Sequence, residues 1–233
     1  MRIAAVGDVH GGENLPALRK DLEGLDPPDL FLLAGDLTDH NDVGGFVEVV
    51  DAVKARTSCP IYGVFGNNEY PQSHEEYRKR TGIPLLTDEV ATVRVAGREV
   101  QIVGSTGCLD RPTWWQRTNL PGIARLYDER VAKIDAFLEG GGTRILLTHY
   151  PPTYATMGGE KDEWRPELGS KKLEAVILQR RPELVVHGHI HKGIPFATLA
   201  TGQRTIDAFD PRGAVPVYNV AYPVTRKITV IDA

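Results

Sequence analysis

The sequence predicts an α/β fold, and two patterns in it support this class. Short apolar runs bounded by glycine or proline recur along the chain and are typical of buried strands. They lie at residues 2–6, 30–34, 61–65, 144–148 and 183–187. The stretches between them carry apolar residues at helical spacing, as at Leu15, Leu18 and Leu22. Alternation of strand and helix implies parallel pairing with right-handed crossovers.

Two further segments predict antiparallel strands. Residues 91–97 and 98–105 alternate with period two and indicate a hairpin across Gly97-Arg98. The C-terminal stretch 214–232 has the same character, so we expect it to add antiparallel strands. Segments 106–122 and 150–169 show no periodicity, and irregular segments of this length are usually functional or mobile.

Length and composition indicate a single domain over residues 1–233. The chain is 41% hydrophobic and 25% charged, as in ordinary globular proteins. Its formal net charge of −4 argues against duplex DNA or an anionic membrane as a partner. Two cysteines exclude a disulfide framework, and no apolar run is long enough to span a membrane. Asp8 follows the N-terminus too closely for a signal peptide, so a cytoplasmic location is expected.

Each of the five apolar runs ends in a polar cluster. The clusters contain, in chain order, Asp8 and His10; Asp36 and Asp39; Asn67, Asn68 and Glu69; His149; and His187, His189 and His191. Open α/β sheets bind ligands beyond the carboxyl ends of their strands, so we expect these clusters to meet in one crevice.

The residue types in these clusters predict a metal centre. Carboxylates, imidazoles and an amide without a thiolate suit divalent Mn, Fe, Zn or Ni. The donors are too many for one ion, and two ions about 3.5–4 Å apart clamp a phosphoryl group and activate water.

Each cluster also has a structural interpretation. Asp8 and Asp36 are candidate helix N-caps, and His149 is a candidate loop histidine. The pair Asn67-Asn68 is typical of a turn. We interpret His187, which ends its strand before Gly188, as structural. The occurrence of all five clusters at strand ends favours the metal interpretation.

The five motifs resemble those of the calcineurin-like metallophosphoesterase family. In order they read GDxHG, GDxxD, GN[HCN][DE], a lone histidine and GHxH, and they span residues 7 to 191. The resemblance implies a four-layer sandwich of two mixed β-sheets, packed face to face between helices. It also implies phosphoester hydrolysis by a hydroxide that bridges two divalent metal ions.

The resemblance further implies a ligand for each ion at specific positions. The implied ligands are Asp8, His10 and His191 for the first metal, Asn67, His149 and His189 for the second, and Asp36 as the bridge. The substrate is then expected to be a small phosphorylated molecule, although no substrate-binding residue is evident in the sequence.

Asn68 departs from the best-known form of the family, which has histidine there, supported by an acid matching Asp39. An amide donates a hydrogen bond but no useful proton to a leaving group. Asn68 is the candidate catalytic residue, and an amide at this position favours phosphodiesters over phosphomonoesters as substrates. The alternatives are a phosphomonoesterase and a weakly active or non-catalytic metal-binding scaffold.

Other residues are candidates for the missing acid and for the pocket walls. His40, His74 and Tyr70 are candidate acids, although each also fits a surface or packing role. Trp114 and Trp115, in segment 106–122, are able to stack on a base. They equally fit a role in covering the core or a subunit contact.

Overall fold

The computed structural model describes residues 1–12, 14–200 and 214–233. Its strands form a five-stranded sheet of order β11-β1-β2-β3-β4 and a six-stranded sheet of order β5-β6-β7-β8-β10-β9. The strands are β1 (Arg2–Val6), β2 (Leu30–Leu33), β3 (Ile61–Val64), β4 (Leu85–Leu86), β5 (Glu89–Val95), β6 (Arg98–Ser105), β7 (Thr143–Thr148), β8 (Leu184–His187), β9 (Phe196–Leu199), β10 (Val215–Asn219) and β11 (Thr229–Asp232).

The helices lie on the outer faces of the two sheets. They are α1 (Leu15–Glu23), α2 (Val43–Lys54), α3 (His74–Thr81), α4 (Trp114–Asn119), α5 (Ile123–Phe137), α6 (Lys171–Arg180) and α7 (Tyr222–Thr225). Buried side chains of α1, α2 and α3 pack on the first sheet, and those of α5 and α6 pack on the second. No helix among the described residues is long and apolar enough to cross a membrane.

A separate cluster of apolar side chains fills the space between the sheets. It draws on both, with Ile3 and Leu32 from the first sheet and Ile102 and Leu147 from the second. Neighbouring residues of β1 point in opposite directions, since Ala4 belongs to the helix-side cluster. Both faces of the central strands are therefore buried, which explains their continuous apolar runs. The predicted four-layer sandwich is confirmed.

The structure corrects three details of the predicted elements. The hairpin turn is formed by Ala96 and Gly97, both at positive φ, rather than lying across Gly97-Arg98. The C-terminal stretch is not antiparallel throughout. β10 pairs parallel with β8 and antiparallel with β9, and β11 pairs antiparallel with β1. Segment 106–122 is not irregular throughout, because it contains α4.

Candidate metal centre

The polar clusters meet at the carboxyl ends of strands from both sheets. Asp8, Asp36 and Asn67 follow β1, β2 and β3 of the first sheet, and His149 and His189 follow β7 and β8 of the second. Four of the predicted ligands have positive φ, namely Asp8 (53°), His10 (53°), Asp36 (48°) and His189 (70°). Backbone strain of this kind concentrates at functional sites.

The helix N-cap interpretation of the two aspartates is wrong. The first helix begins at Leu15 after Asn14, and the second begins at Val43 after Asp42. Neither Asp8 nor Asp36 adjoins a helix start. Both carboxylates are instead buried at the junction of the two sheets.

Asp8, His10 and His191 form the first group of converging donor atoms. His191 Nε2 lies 3.0 Å from Asp8 Oδ1 and 3.4 Å from His10 Nε2. The His10 ring is held from its other side, where Nδ1 lies 2.6 Å from Asp39 Oδ1. With that nitrogen donating to Asp39, the lone pair of Nε2 points at the group.

Asp8, Asp36 and His149 form the second group, whose donor atoms lie within 4.8 Å of one another. His149 Nε2 is 3.6 Å from Asp36 Oδ2 and 3.1 Å from Asn67 Oδ1. His149 Nδ1 lies 2.9 Å from the carbonyl oxygen of Ala34, to which it donates. With Nδ1 donating, Nε2 of a neutral ring directs its lone pair towards the oxygens of Asp36 and Asn67.

These spacings fit divalent metal ions. Ligands bound at about 2.0–2.2 Å around one ion lie about 3.0–3.5 Å apart. In the first group two separations, 3.0 and 3.4 Å, fall in this range and the third, from His10 Nε2 to Asp8 Oδ1, is 4.0 Å. In the second group His149 Nε2 lies 3.6 Å from Asp36 Oδ2. His189 stands next to the second group, with its ring centroid 5.0 Å from that of His149. The site thus brings carboxylate, amide and imidazole side chains together, and these are the ligand types that divalent cations bind.

Comparison with known proteins identifies the family. The model of the calcineurin-like phosphoesterases matches residues 1–193. The chain belongs to the calcineurin-like phosphoesterase family. Membership implies divalent metal ions in a dinuclear site. None of the curated proteins compared with the chain is significantly similar to it.

Solved structures share the fold of this phosphoesterase. The phosphopantetheinyl hydrolase PptH of Mycobacterium tuberculosis is 18% identical, with a TM-score of 0.67 over 96% of this chain and 90% of that one. TT1561 of Thermus thermophilus is 16% identical, with a TM-score of 0.57 over 99% and 98%. The purple acid phosphatase PPD1 of yellow lupin is 14% identical, with a TM-score of 0.58 over 100% and 46%.

Two glycines of the phosphoesterase allow its strand-end loops to approach the carboxylates. A Cβ atom on Gly188 would lie 2.3 Å from Asp8 Oδ2, and one on Gly66 would lie 2.1 Å from Asp36 Oδ1. Neither distance is sterically possible, so any side chain at these positions would displace a candidate ligand.

Glu69, directly after the Asn67-Asn68 pair, is buried and supports the strand-end loops, a role that the motif alone does not indicate. Its carboxylate accepts backbone N–H bonds from Gly66, Asp36 and Thr38, at 2.7, 2.9 and 3.3 Å. It therefore joins the loop after β3 to the loop after β2. In the sequence, the one indication that Glu69 belongs to the site was its position directly after the Asn67-Asn68 pair.

Burial and mutual charge perturb the acids of the site. Burial raises the pKa of Asp36 against the opposing effect of His149. Burial also acts to raise the pKa of Asp8, but its hydrogen bond with His191 and the nearby imidazoles bring the net pKa below its usual range. Burial lowers the pKa of His189 to about 3, so this imidazole is neutral and able to bind a metal.

Asn68 hydrogen-bonds to Asp36, the candidate bridging ligand. Its backbone N–H donates to Asp36 Oδ1 and its side-chain Nδ2 to Asp36 Oδ2, both at 2.8 Å. The acid expected to support residue 68, Asp39, instead holds His10. The strand end that resembles a simple turn in sequence thus contacts Asp36 directly.

The remaining histidines have other environments. His74 stacks on Phe65 with centroids 3.6 Å apart, and its Nε2 lies 3.0 Å from the Glu69 carbonyl oxygen. His187 is buried, with Nε2 2.9 Å from the Thr156 hydroxyl, in keeping with a structural role. His40 is exposed.

The two long segments pack against each other. Asp110 accepts hydrogen bonds from the Tyr154 and Ser170 hydroxyls at 2.6 and 2.9 Å, and Arg111 pairs with Glu167. Trp114 and Trp115 are 69% and 58% exposed, so the interpretation that they cover the core is wrong.

Proposed function

We propose that this family member is a dinuclear-metal phosphodiesterase that acts on small molecules or nucleotides. The proposal rests on family membership, on the two donor groups, and on the residue at position 68. Family membership supports metal-dependent phosphoester hydrolysis. The preference for diesters depends instead on the residue at position 68.

We assign the ligands as the resemblance implies. Asp8, His10 and His191 would hold the first ion, Asn67, His149 and His189 the second, and Asp36 would bridge them. Such ions supply Lewis-acid stabilisation of the phosphoryl charge and activation of water when bound. Asn68 then serves two purposes, since it fixes Asp36 by two hydrogen bonds and presents an amide at the site.

The environment of Asn68 bears on the leaving group. A leaving alkoxide needs a proton in monoesters and diesters alike, and a positioned acid contributes about 10²–10⁴-fold; the preference for diesters is carried over from the resemblance at position 68. Among the described histidines, four are assigned as ligands, His74 and His187 are engaged in packing, and His40 is exposed. No hydrogen bond joins any of these described imidazoles to Asn68, whose side chain donates to Asp36.

The first test compares two activated esters. Manganese-loaded protein is assayed with bis-p-nitrophenyl phosphate and p-nitrophenyl phosphate, each with and without EDTA. We expect chelator-sensitive turnover that favours the diester. Equal or faster turnover of the monoester would instead support a phosphomonoesterase. Bound manganese with no turnover of either ester would support a non-catalytic scaffold.

The second test adds the missing proton donor. Asn68→His is compared with Asn68→Gln, which keeps an amide, on dithymidine monophosphate, whose leaving group is poor. We expect the histidine variant to gain on the order of tenfold or more over the glutamine variant. An equal rate in both variants would contradict the role of residue 68 as the position of a lost acid.

A further inference from the structure

A cleft of about 330 Å³ opens beside the first donor group. Its lining residues are His10, Asn14, Asp39, His191, Pro223 and Arg226. The volume is within the range of small-ligand sites. Two of these residues, His10 and His191, are candidate metal ligands, so a phosphoryl group held at the first ion would border the cleft.

The far side of the cleft comes from a part of the chain outside the family match of residues 1–193. α7 is fixed to the end of β1 by backbone hydrogen bonds of Gly7, which donates to Val220 at 3.0 Å and accepts from Tyr222 at 2.9 Å. The Tyr222 hydroxyl also donates to Asp21 of α1 at 2.8 Å. Since Gly7 precedes Asp8, these bonds hold α7 beside the metal centre.

Arg226 ends α7 and brings a positive charge to the cleft. Its backbone has a positive φ of 53°, and its N–H donates to the Tyr222 carbonyl at 2.8 Å. The side chain is exposed and makes no hydrogen bond or ion pair within the described part of the chain. Asp39, the one acid among the described residues that line the cleft, is engaged with His10 at 2.6 Å.

Asn14 faces the cleft and adds a neutral donor. One N–H of its side chain donates to the carbonyl of Val9 at 3.0 Å, which fixes the amide. The second N–H has no hydrogen-bond partner among the described residues, so it is able to donate to an oxygen ligand. A guanidinium with a neighbouring amide is a combination suited to phosphate oxygens.

We propose that Arg226 and Asn14 form a subsite for a second phosphate group of the substrate, next to the phosphoryl group that reacts. The inference rests on the proposed function, because it places the reacting group at the first donor group. It narrows the substrate class to esters that carry a second phosphate group. Lys227, exposed and adjacent in sequence, does not line the cleft and serves as a matched control.

The test measures equilibrium binding and does not depend on turnover. Calorimetry with manganese-loaded protein compares propyl phosphate with the bisphosphates of ethane-1,2-diol, propane-1,3-diol and butane-1,4-diol. We expect at least one bisphosphate to bind about fivefold to tenfold more tightly than propyl phosphate, the effect of one partly exposed charge-assisted contact. The preference should decrease with added salt.

The variants locate the effect. Arg226→Gln should remove the preference for the bisphosphate and leave propyl phosphate binding unchanged, whereas Lys227→Gln should keep both. A preference that survives in Arg226→Gln, or its absence in the wild type, would overturn the subsite. Hydrolysis of bis-p-nitrophenyl phosphate by the same samples separates the two proposals. Turnover without the preference refutes the subsite alone, and the preference without turnover refutes only the enzymatic function.

Discussion

At the scale of single residues, the contact between Asp39 and His10 has the most direct consequence for metal binding. A carboxylate on the far nitrogen of a ligating imidazole fixes its tautomer and its orientation and makes it more basic. Here Asp39 Oδ1 lies 2.6 Å from His10 Nδ1, so Nε2 is directed at Asp8 and His191. Asp39 is therefore a positioning residue for the first ion.

We expect Asp39→Ala to weaken manganese binding about 10–100-fold, the usual effect of removing such a partner. Asp39→Asn keeps an oxygen acceptor for His10, so its manganese affinity should fall less than that of Asp39→Ala. Asp51→Ala, an exposed position on α2, is the control and should bind like the wild type. Titration calorimetry of metal-free protein with Mn²⁺ measures all four affinities. Wild-type affinity in Asp39→Ala would show that His10 needs no support.

Residues at strand ends were predictable from sequence, whereas contacts between distant segments were not. Asp8, Asp36, Asn67 and His149 each follow a buried apolar run, and parallel strands bring such positions to one edge. The redirection of Asp39 to His10 depends on loop conformation, and nothing in the motif spacing indicates it. The position of Arg226 at the cleft depends on backbone hydrogen bonds between residues far apart in the chain. No local sequence pattern therefore predicts it.

At the scale of elements, the long and buried strands and helices were predictable from the sequence. The short or exposed ones were not. β4 has two residues, too few to show a period. α4 presents Trp114 and Trp115 to solvent, so it has no apolar face from which a helix is recognised. The sequence feature that does indicate the start of α4 is a capping box at its N-terminus. The Thr113 hydroxyl accepts the N–H of Gln116 at 3.2 Å, and the Gln116 side chain accepts the N–H of Thr113 at 3.0 Å.

We expect Thr113→Ala to lower the free energy of unfolding by about 1 kcal/mol, the typical cost of losing an N-cap. Manganese affinity should stay unchanged, since α4 supplies no candidate ligand. Thr118→Ala is the matched control, because its exposed hydroxyl contacts only the Trp114 carbonyl inside the same helix. Urea denaturation compares the three proteins. Equal losses in both variants would mean that the cap does not determine the stability of α4.

At the scale of the whole molecule, the metal centre depends on the distance between the two sheets. The first sheet supplies Asp8 and Asp36, and the second supplies His149. The sheets approach closely where Gly104 of β6 faces Leu86 of β4. A Cβ atom on Gly104 would lie 2.3 Å from the Cβ of Leu86, so this contact admits no side chain. We therefore expect this packing contact to influence the separation of the ligands as well as the core.

Gly104→Ala should therefore separate the sheets, with two coupled effects. We expect a loss of about 1–3 kcal/mol in the free energy of unfolding, as for other overpacked cores, together with weaker manganese binding. Gly141→Ala is the control, since a Cβ there has nothing within 4 Å. Urea denaturation of metal-free protein and calorimetric titration with Mn²⁺ measure the two effects separately. A destabilised Gly104→Ala variant with wild-type manganese affinity would show that the strand-end loops, and not the spacing of the sheets, determine the geometry of the centre.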